Sequence, residues 1–189
     1  NVSFLGRDIK KIMLTSSHAS EGKSFTSLTL CRKLAERGKR VVLVDTDLRR
    51  SMITTVYGVQ FAPGSKKQGL SHYLAGIAEK EEVLFHTNVP GMDFIPMGHE
   101  LLNPIPLLSS ERFQNLLDGL AEQYDYVIVD AAPVGVVIDA AEIAKVCDGI
   151  LLVVSYNQVH RQELIDAKNQ LEQTGCPILG TILNQVDYE

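Results

Sequence analysis

Short apolar runs alternate with longer amphipathic stretches from one end of the chain to the other. The apolar runs are rich in Val, Ile and Leu, which is typical of strands buried on both faces of a parallel sheet. Alternation of such strands with helices predicts an α/β fold, with a mostly parallel central sheet and helices on both faces. The predicted strands are KIMLTS (11–16), RVVLVD (40–45), MDFIP (92–96), YVIVD (126–130), GILLVVS (149–155) and GTILNQ (180–185).

The amphipathic stretches predict the helices. In the first of them Phe25, Leu28, Cys31 and Leu34 recur every three residues, which predicts that these four side chains share one side of the helix. Gly38 is expected to end that helix. The predicted helices cover residues 23–37, 110–123, 139–147 and 159–173, and the segment 61–68, rich in glycine, proline and lysine, is expected to be an exposed loop.

Composition narrows the classes of protein. The chain has 189 residues, 45% of them hydrophobic and 22% charged, with a net charge of -5. This length predicts one domain, residues 1–189, and no apolar run approaches the roughly 20 residues of a membrane-spanning helix. The acidic balance and the short basic clusters argue against a nucleic-acid surface. The 3 cysteines are widely spaced in apolar or helical contexts, which predicts reduced, mostly buried thiols.

The stretch TSSHASEGKSFTS, residues 15–27, follows the first predicted strand and opens the first predicted helix. Gly22 lets the backbone turn close to an anion, Lys23 supplies a positive charge, and Ser24 offers a hydroxyl to a metal ion. The helix N-terminus adds free N–H groups and a favourable dipole. The phosphate-loop pattern G-x-x-x-x-G-K-[ST] is matched incompletely, because Ser17 stands in place of its first glycine. The context still predicts a phosphate site and a P-loop NTPase fold.

Two aspartate motifs follow predicted strands. VVLVDTDLRR places Asp45 and Asp47 after the second strand, and YVIVDAAP places Asp130 after the fourth. Because the carboxyl ends of parallel strands meet at one edge, these carboxylates are expected around the same crevice as Lys23 and Ser24. Phosphate charge needs a cation, Mg²⁺ needs oxygen ligands, and an attacking hydroxyl needs a base. The combination predicts a nucleotide site with Mg²⁺.

Three motifs together resemble the bacterial tyrosine kinases (BY-kinases) of capsule and exopolysaccharide synthesis: EGKS, the D-x-D-x-R of VVLVDTDLR, and the D-x-x-P of VIVDAAP. The segments GLSHYLAG, NPIPLLSSERF, DAAEIAKVCDGILLVV and GTILNQVD look like family segments in family order, so the resemblance covers nearly the whole chain. It implies an ATP- and Mg²⁺-dependent protein tyrosine kinase. Such a kinase autophosphorylates between subunits on a tyrosine-rich tail and regulates polysaccharide synthesis and export.

The resemblance also implies roles for residues. Lys23 would contact the β- and γ-phosphates; Ser24, Asp47 and Asp130 would hold Mg²⁺, the carboxylates directly or through water. Asp45 would accept the proton of the incoming tyrosine hydroxyl, so Lys23, Asp45 and Asp47 are the catalytic candidates. ATP or ADP contacts are expected from Ser20, Glu21, Gly22, Lys23, Ser24, Phe25 and Asn184, of which Asn184 would read the adenine edge. Arg49 would balance the aspartates or form a plain surface ion pair.

The chain departs from the family pattern in places. Ala19 and Ser20 stand where members often carry Pro-Gly, so the loop backbone has less freedom at position 20. The chain stops at VDYE, where members continue into a tyrosine-rich tail that would begin near Tyr188. A Glu-x-x-Arg-x-x-Arg assembly helix would precede Asn1, so homo-oligomers are expected to need regions missing here. The expected partners are a membrane-bound polysaccharide co-polymerase or chain-length modulator and a tyrosine phosphatase, with no nucleic acid. The expected location is the cytoplasmic side, at the inner face of the cell membrane.

Two other functions fit most of the motifs. Partition and septum-site ATPases share the fold, but they carry a signature lysine at the position of His18. A non-catalytic nucleotide switch, docked to a membrane chain-length regulator, would fit the shortage of tyrosines in exposed segments. Tyr124, Tyr126 and Tyr156 lie in or beside predicted strands and are expected to pack against the core.

Overall fold

The computed structural model describes residues 3–4, 7–56, 59–134 and 138–186. The strands are β1 (Ser3–Phe4), β2 (Arg7–Asp8), β3 (Lys11–Ser16), β4 (Val41–Asp45), β5 (Phe85–His86), β6 (Met92–Ile95), β7 (Tyr126–Asp130), β8 (Gly149–Ser155) and β9 (Ile178–Asn184). The helices are α1 (Lys23–Glu36), α2 (Ile53–Val56), α3 (Leu70–Leu74), α4 (Lys80–Val83), α5 (Ile105–Leu108), α6 (Glu111–Gln123), α7 (Asp139–Ala144) and α8 (Arg161–Glu172).

Among these residues, the main sheet has seven strands in the order β5-β6-β4-β7-β3-β8-β9. All its neighbouring pairs are parallel except β5 with β6. The predicted parallel α/β sheet is therefore confirmed, with strand ends that differ by up to two residues. The antiparallel edge strand β5 was not predicted, because two residues are too few to produce a hydrophobic period.

The central strand β4 shows how the sheet is fixed. Val42 and Val44 belong to the apolar core on one face, whereas Val41 and Leu43 belong to the core on the other face. All four are fully buried, and each such side chain contributes about 1.5 to 3 kcal/mol relative to an exposed position. This two-sided burial holds the carboxyl end of β4, where Asp45 lies, at a fixed place.

The outer strand β9 is less buried than its apolar sequence predicted. Thr181 and Leu183 are exposed, and the rest of the strand is only partly buried. Among the described residues β9 pairs with β8 alone, so the prediction of burial on both faces is wrong for this strand.

The helix α1 packs on the sheet through part of the predicted side. Cys31 is fully buried and Leu28 and Leu34 pack against the core, whereas Phe25 is 54% exposed. Ser27 and Ala35, at the four-residue spacing of a helix face, are also buried, because small side chains let α1 approach the sheet. Gly38 follows the helix with a φ of 78° and ends it as predicted.

The cysteines and tyrosines mostly follow the prediction. Cys31 and Cys176 are buried, Cys147 is partly buried, and all three thiols are free. Tyr124 and Tyr126 are buried as expected. The expectation for Tyr156 is wrong: it is 51% exposed, because it follows the last residue of β8 at the sheet edge. Tyr188 lies outside the described residues.

Candidate active site at the carboxyl edge of the sheet

The loop between β3 and α1 is folded around the carboxylate of Glu21. One carboxylate oxygen, Oε1, accepts hydrogen bonds from Ser17 Oγ and from the backbone N–H of His18, each at 2.6 Å. The other, Oε2, accepts from the backbone N–H of Ser155 at 2.9 Å. Glu21 is 3% exposed. Its side chain therefore ties the loop to the end of β8, and only its backbone is left to serve the predicted nucleotide contact.

This arrangement explains the serine at the position of the missing glycine. Ser17 is buried and its hydroxyl is consumed by Glu21. A glycine there would give the loop more freedom but no bond to the carboxylate. The loop of this protein is thus held by a side-chain pair where the phosphate-loop pattern has glycine.

The residues Lys23 and Ser24 both meet Asp130. Lys23 Nζ lies 3.0 Å from Asp130 Oδ2, and Ser24 Oγ donates to the same oxygen at 2.7 Å. Ser27 Oγ, one turn further along α1, donates to Asp130 Oδ1 at 2.8 Å. All four side chains are buried. The predicted meeting of Lys23, Ser24 and Asp130 is therefore what the structure shows, and Ser27 is an additional member.

The carboxylate of Asp45 lies beside this cluster. Asp45 and Asp130 are paired residues at the ends of the adjacent parallel strands β4 and β7. Asp45 is fully buried and makes a short hydrogen bond with Ser51 Oγ. Burial, followed by the nearby charge of Asp130, raises the pKa of Asp45 to about 8. This environment favours the protonated form of Asp45 more than water does.

The carboxylate of Asp47 is more open than that of Asp45. Asp47 is half-buried, and its Oδ1 accepts a hydrogen bond from the backbone N–H of Arg50 at 3.1 Å. Burial raises the pKa of Asp47, while the positive charge of Lys23 opposes that increase. Asp47 therefore interacts electrostatically with Lys23. Its half-buried position leaves it accessible to solvent.

The guanidinium of Arg49 does not pair with these aspartates. It donates two hydrogen bonds to the buried carboxylate of Asp139, from Nε at 2.6 Å and from Nη2 at 3.1 Å. Its Nη1 donates to the carbonyl of Leu102 at 2.9 Å. The expected surface ion pair is therefore wrong, because Asp139, at the start of α7, is buried. The hydrogen bond to Asp139 raises the pKa of Arg49 most, and the charge of Asp47 adds to that increase, so Arg49 balances an aspartate of its own motif only at longer range.

The predicted adenine reader Asn184 lies at the end of β9, directly against the phosphate loop. Its side-chain amide donates to the carbonyl of Glu21 at 2.9 Å. Gly22, with a φ of 83°, packs so closely that a Cβ there would lie 2.0 Å from Asn184 Nδ2. Ser20 also has a positive φ, 67°. The structure thus places Ser20, Gly22 and Asn184 together, and the adenine role of Asn184 stays a prediction.

Two side chains near the phosphate loop lie next to other parts of the fold. Phe25 lines a groove of about 760 Å³ between α1, the segment 59–65 and β5, together with Phe61 and Phe85. The nucleotide contact of Phe25 stays a prediction. The ring of His18 lies 3.6 Å from Glu163 on α8.

The sequence pattern missed three contributors to this site: Ser27, Ser155 and Asp139. Ser27 could have been found, because it lies one helical turn after Lys23 and therefore on the same face of α1. The contacts of Ser155 with Glu21 and of Asp139 with Arg49 have no local signal, since the partners are far apart in the chain.

The described residues contain neither a metal-binding cluster of acidic, His or Cys side chains nor a helix that could span a membrane. No group of three or more His, Cys, Asp or Glu side chains among them could hold a metal ion without further ligands. No helix among these residues is long and apolar enough to cross a bilayer.

Comparisons with known proteins agree with this geometry. The family described as "AAA domain" matches residues 9–174. The tyrosine-protein kinase CpsD of Streptococcus agalactiae serotype III is 38% identical over 187 residues, covering 99% of this chain and 79% of that protein. The solved kinase domain of the Escherichia coli tyrosine kinase ETK is 35% identical with a TM-score of 0.87, covering 95% of this chain and 69% of that one.

A septum-site protein shares the fold at lower identity. The septum site-determining protein MinD of Pyrococcus horikoshii OT3, solved in complex with Mg-ADP, is 24% identical with a TM-score of 0.76. It covers 92% of this chain, and this chain covers 69% of it. At that identity the likeness shows the P-loop fold alone.

Proposed function

The chain belongs to the AAA-domain family and to the bacterial tyrosine-protein kinases, and we propose that it transfers the γ-phosphoryl group of ATP to tyrosine hydroxyls. The observation that carries the proposal is the buried meeting of Lys23, Ser24 and Asp130, with Asp45 on the adjacent strand end. Phosphoryl transfer depends mostly on positioning and on charge stabilisation. A fixed cation, a hydroxyl and carboxylates at one sheet edge supply both.

The donor set fits Mg²⁺ with a nucleotide. Ser24 and the carboxylates of Asp47 and Asp130 offer hard oxygen ligands, which Mg²⁺ prefers. The described residues hold no self-sufficient cage of acidic, His or Cys side chains, and Mg²⁺ is normally bound by one or two carboxylates together with phosphates. When bound, Mg²⁺ would neutralise charge on the phosphate oxygens.

On nucleotide binding, the side chain of Lys23 would exchange the carboxylate of Asp130 for the phosphates. Its ammonium contacts Asp130 at 3.0 Å, and the β- and γ-phosphates would be its alternative partners. Ser24 can keep its hydrogen bond to Asp130 Oδ2 while a lone pair of its oxygen faces a metal, because in that bond the hydroxyl uses only its hydrogen. Ser27 can keep Asp130 oriented during that exchange, because it holds the other carboxylate oxygen. Asp130 thus remains positioned while its partners change.

The two remaining aspartates divide the roles of base and metal ligand. We propose Asp45 as the group that receives the phenolic proton, and Asp47 as a metal ligand. Asp45 must first lose its own proton. The charge of Asp130 contributes to its raised pKa, so any cation that neutralises Asp130 favours the ionised form of Asp45. Burial also raises the pKa of Asp47, and its half-buried carboxylate is the more open of the two, so an exchange of these two roles is the alternative that the Asp45 and Asp47 variants test.

The cellular role follows the family. We propose that the kinase autophosphorylates in trans on a tyrosine-rich tail and regulates the synthesis and export of capsular or exopolysaccharide. Its proposed partners are a membrane-bound polysaccharide chain-length modulator, further copies of the kinase and a tyrosine phosphatase. With such a partner, we propose that the kinase acts at the inner face of the cell membrane.

The test is a comparison of Mg-nucleotide affinity with single-turnover transfer to a tyrosine-rich tail peptide, with the modulator present. Lys23→Met should abolish transfer. Asp45→Asn should leave affinity within a few fold and lower transfer by about 10² to 10⁴, the usual contribution of a general base. Asp47→Asn and Asp130→Asn should alter both affinity and Mg²⁺ dependence. A parent protein that binds nucleotide but transfers nothing would favour the nucleotide-switch function instead. Transfer that none of the four substitutions affects would remove these residues from the mechanism.

A further inference from the structure

The order of strands gives the nucleotide a direction along the sheet edge. Asn184, the predicted adenine reader, ends β9, the phosphate loop follows β3, and Asp130 ends β7. Because the strand order runs β4-β7-β3-β8-β9 on this side, the proposed nucleotide extends from β9 towards β7. Its transferable phosphate then faces β4 and β6. A tyrosine side chain must approach from that side, since the nucleotide covers the other.

The loops on that side are bound to one another through Arg49. The loop after β4 is joined to the segment after β6 by the backbone N–H of Leu101, which donates to the carbonyl of Leu48 at 2.7 Å. Arg49 adds a hydrogen bond to the carbonyl of Leu102 and two hydrogen bonds to Asp139 at the start of α7. We call the surface formed by Arg49, Leu102, Ile138 and Asp139 the Arg49 rim.

The Arg49 rim exposes apolar side chains on a well-anchored base. Leu102 is 99% exposed and Ile138 is 67% exposed. Leu102 is held through its own carbonyl by Arg49, and Ile138 immediately precedes the buried Asp139. Single exposed apolar residues are common, but here two of them adjoin the partners of one half-buried ion pair, in which Asp139 is buried and Arg49 is one third exposed. Together they form a small preorganised contact surface.

We propose that the Arg49 rim is the docking surface for the tyrosine-bearing segment of the protein substrate, a proposal that rests on the kinase function above. Arg49 directly precedes Arg50, whose backbone N–H donates to Asp47 Oδ1 at 3.1 Å, so the rim adjoins the carboxylate of Asp47. Aliphatic side chains and a guanidinium offer contacts that suit a tyrosine and its apolar neighbours. The nucleotide makes no use of these groups, so the rim should affect binding of the acceptor alone.

The test is steady-state transfer to a tyrosine-rich tail peptide by the full-length protein with its modulator. The double variant Leu102→Ser/Ile138→Ser should raise KM for the peptide about five- to tenfold, as expected when two partly buried aliphatic contacts are lost. The kcat, the Mg-nucleotide affinity and the ATP hydrolysis without peptide should stay unchanged. Arg49→Lys should raise the same KM, because the single nitrogen of lysine lacks the planar fork of three nitrogens with which Arg49 reaches both Asp139 and Leu102.

The matched control is Ile77→Ser. Ile77 is 68% exposed, nearly the same as Ile138, and no hydrogen bond or ion pair found between described residues joins it to the rim. An unchanged peptide KM in the double variant, or an equal rise in the Ile77 control, would overturn the docking surface while the kinase function stands. A parent protein that binds Mg-ATP yet phosphorylates no peptide would overturn the kinase function, and the docking surface with it.

Discussion

Replacement of Asp45 by asparagine should stabilise the protein in the absence of nucleotide, and the gain should increase with pH. Asp45 is fully buried, and its pKa is raised from an ordinary 3.8 to about 8, first by burial and then by Asp130. The folded protein therefore holds this proton more tightly than the unfolded chain does. Asparagine is neutral at every pH, so the variant loses this proton linkage while it keeps a polar partner for Ser51.

The sign and size follow from linkage. A carboxyl group whose pKa is raised on folding binds its proton more tightly in the folded state than in the unfolded state. Its contribution to the free energy of unfolding is therefore fully present at low pH and decreases as the pH rises. The decrease is about 1.4 kcal/mol per pH unit between the unfolded and folded pKa values. Here that window runs from about pH 4 to about pH 8. Between pH 5.5 and 7.5 the advantage of Asp45→Asn over the parent should therefore grow by about 2.7 kcal/mol.

The assay is urea unfolding of both proteins at pH 5.5, 6.5 and 7.5, with a metal chelator and without nucleotide. Asp166→Asn is the control, because Asp166 is exposed on α8 and should change stability by no more than about 0.5 kcal/mol at any of these pH values. A difference between Asp45→Asn and the parent that is the same at all three pH values would refute the reasoning. So would an equal slope in the Asp166 control.

Two further predictions concern the backbone of the phosphate loop. Gly22→Ala should destabilise the protein by at least about 1 kcal/mol more than Gly38→Ala in urea unfolding, since both have a positive φ but only a Cβ at position 22 would meet Asn184; equal losses would contradict that contact. Ser20→Gly should be neutral or stabilising by up to about 1 kcal/mol, because Ser20 has a φ of 67°. The control variant Ala19→Gly should instead destabilise the protein by about 0.5 to 1 kcal/mol. Equal changes in the free energy of unfolding for the two glycine variants, measured by thermal unfolding, would mean that the backbone at Ser20 is not strained.

The strands were predictable because each is a local apolar run. β3, β7 and β8 have the bounds that the sequence pattern predicted, since buried strands in a parallel sheet consist almost entirely of apolar residues. Their carboxyl ends then determine where Lys23, Asp45 and Asp130 meet, so the centre of the site also follows from the sequence. The edge strand β5 was not predicted, and the burial of the outer strand β9 was predicted to be greater than it is. Edge strands lack the second packing partner that produces a continuous apolar run.

The contacts that hold the loops could not be predicted. Arg49 and Asp139 are separated by 90 residues in the chain, and Glu21 and Ser155 by 134. No period or motif links such pairs. A D-x-D-x-R motif suggests that its arginine balances its own aspartates, and only the fold shows that a buried carboxylate on α7 is closer. Pairing over such distances depends on the order of strands, which short motifs do not encode.

The phosphate loop also connects the two ends of the proposed nucleotide. Glu21 binds the end of β8 through its carboxylate and the end of β9 through its carbonyl, which accepts from Asn184. Ser20 is joined to the same edge, because its carbonyl accepts from Gln185. A loop with glycines at these positions could be shaped by the phosphates themselves, whereas this loop is shaped by the strands that would hold the adenine. Binding of the base and binding of the phosphates should therefore be coupled, since each requires the same loop conformation.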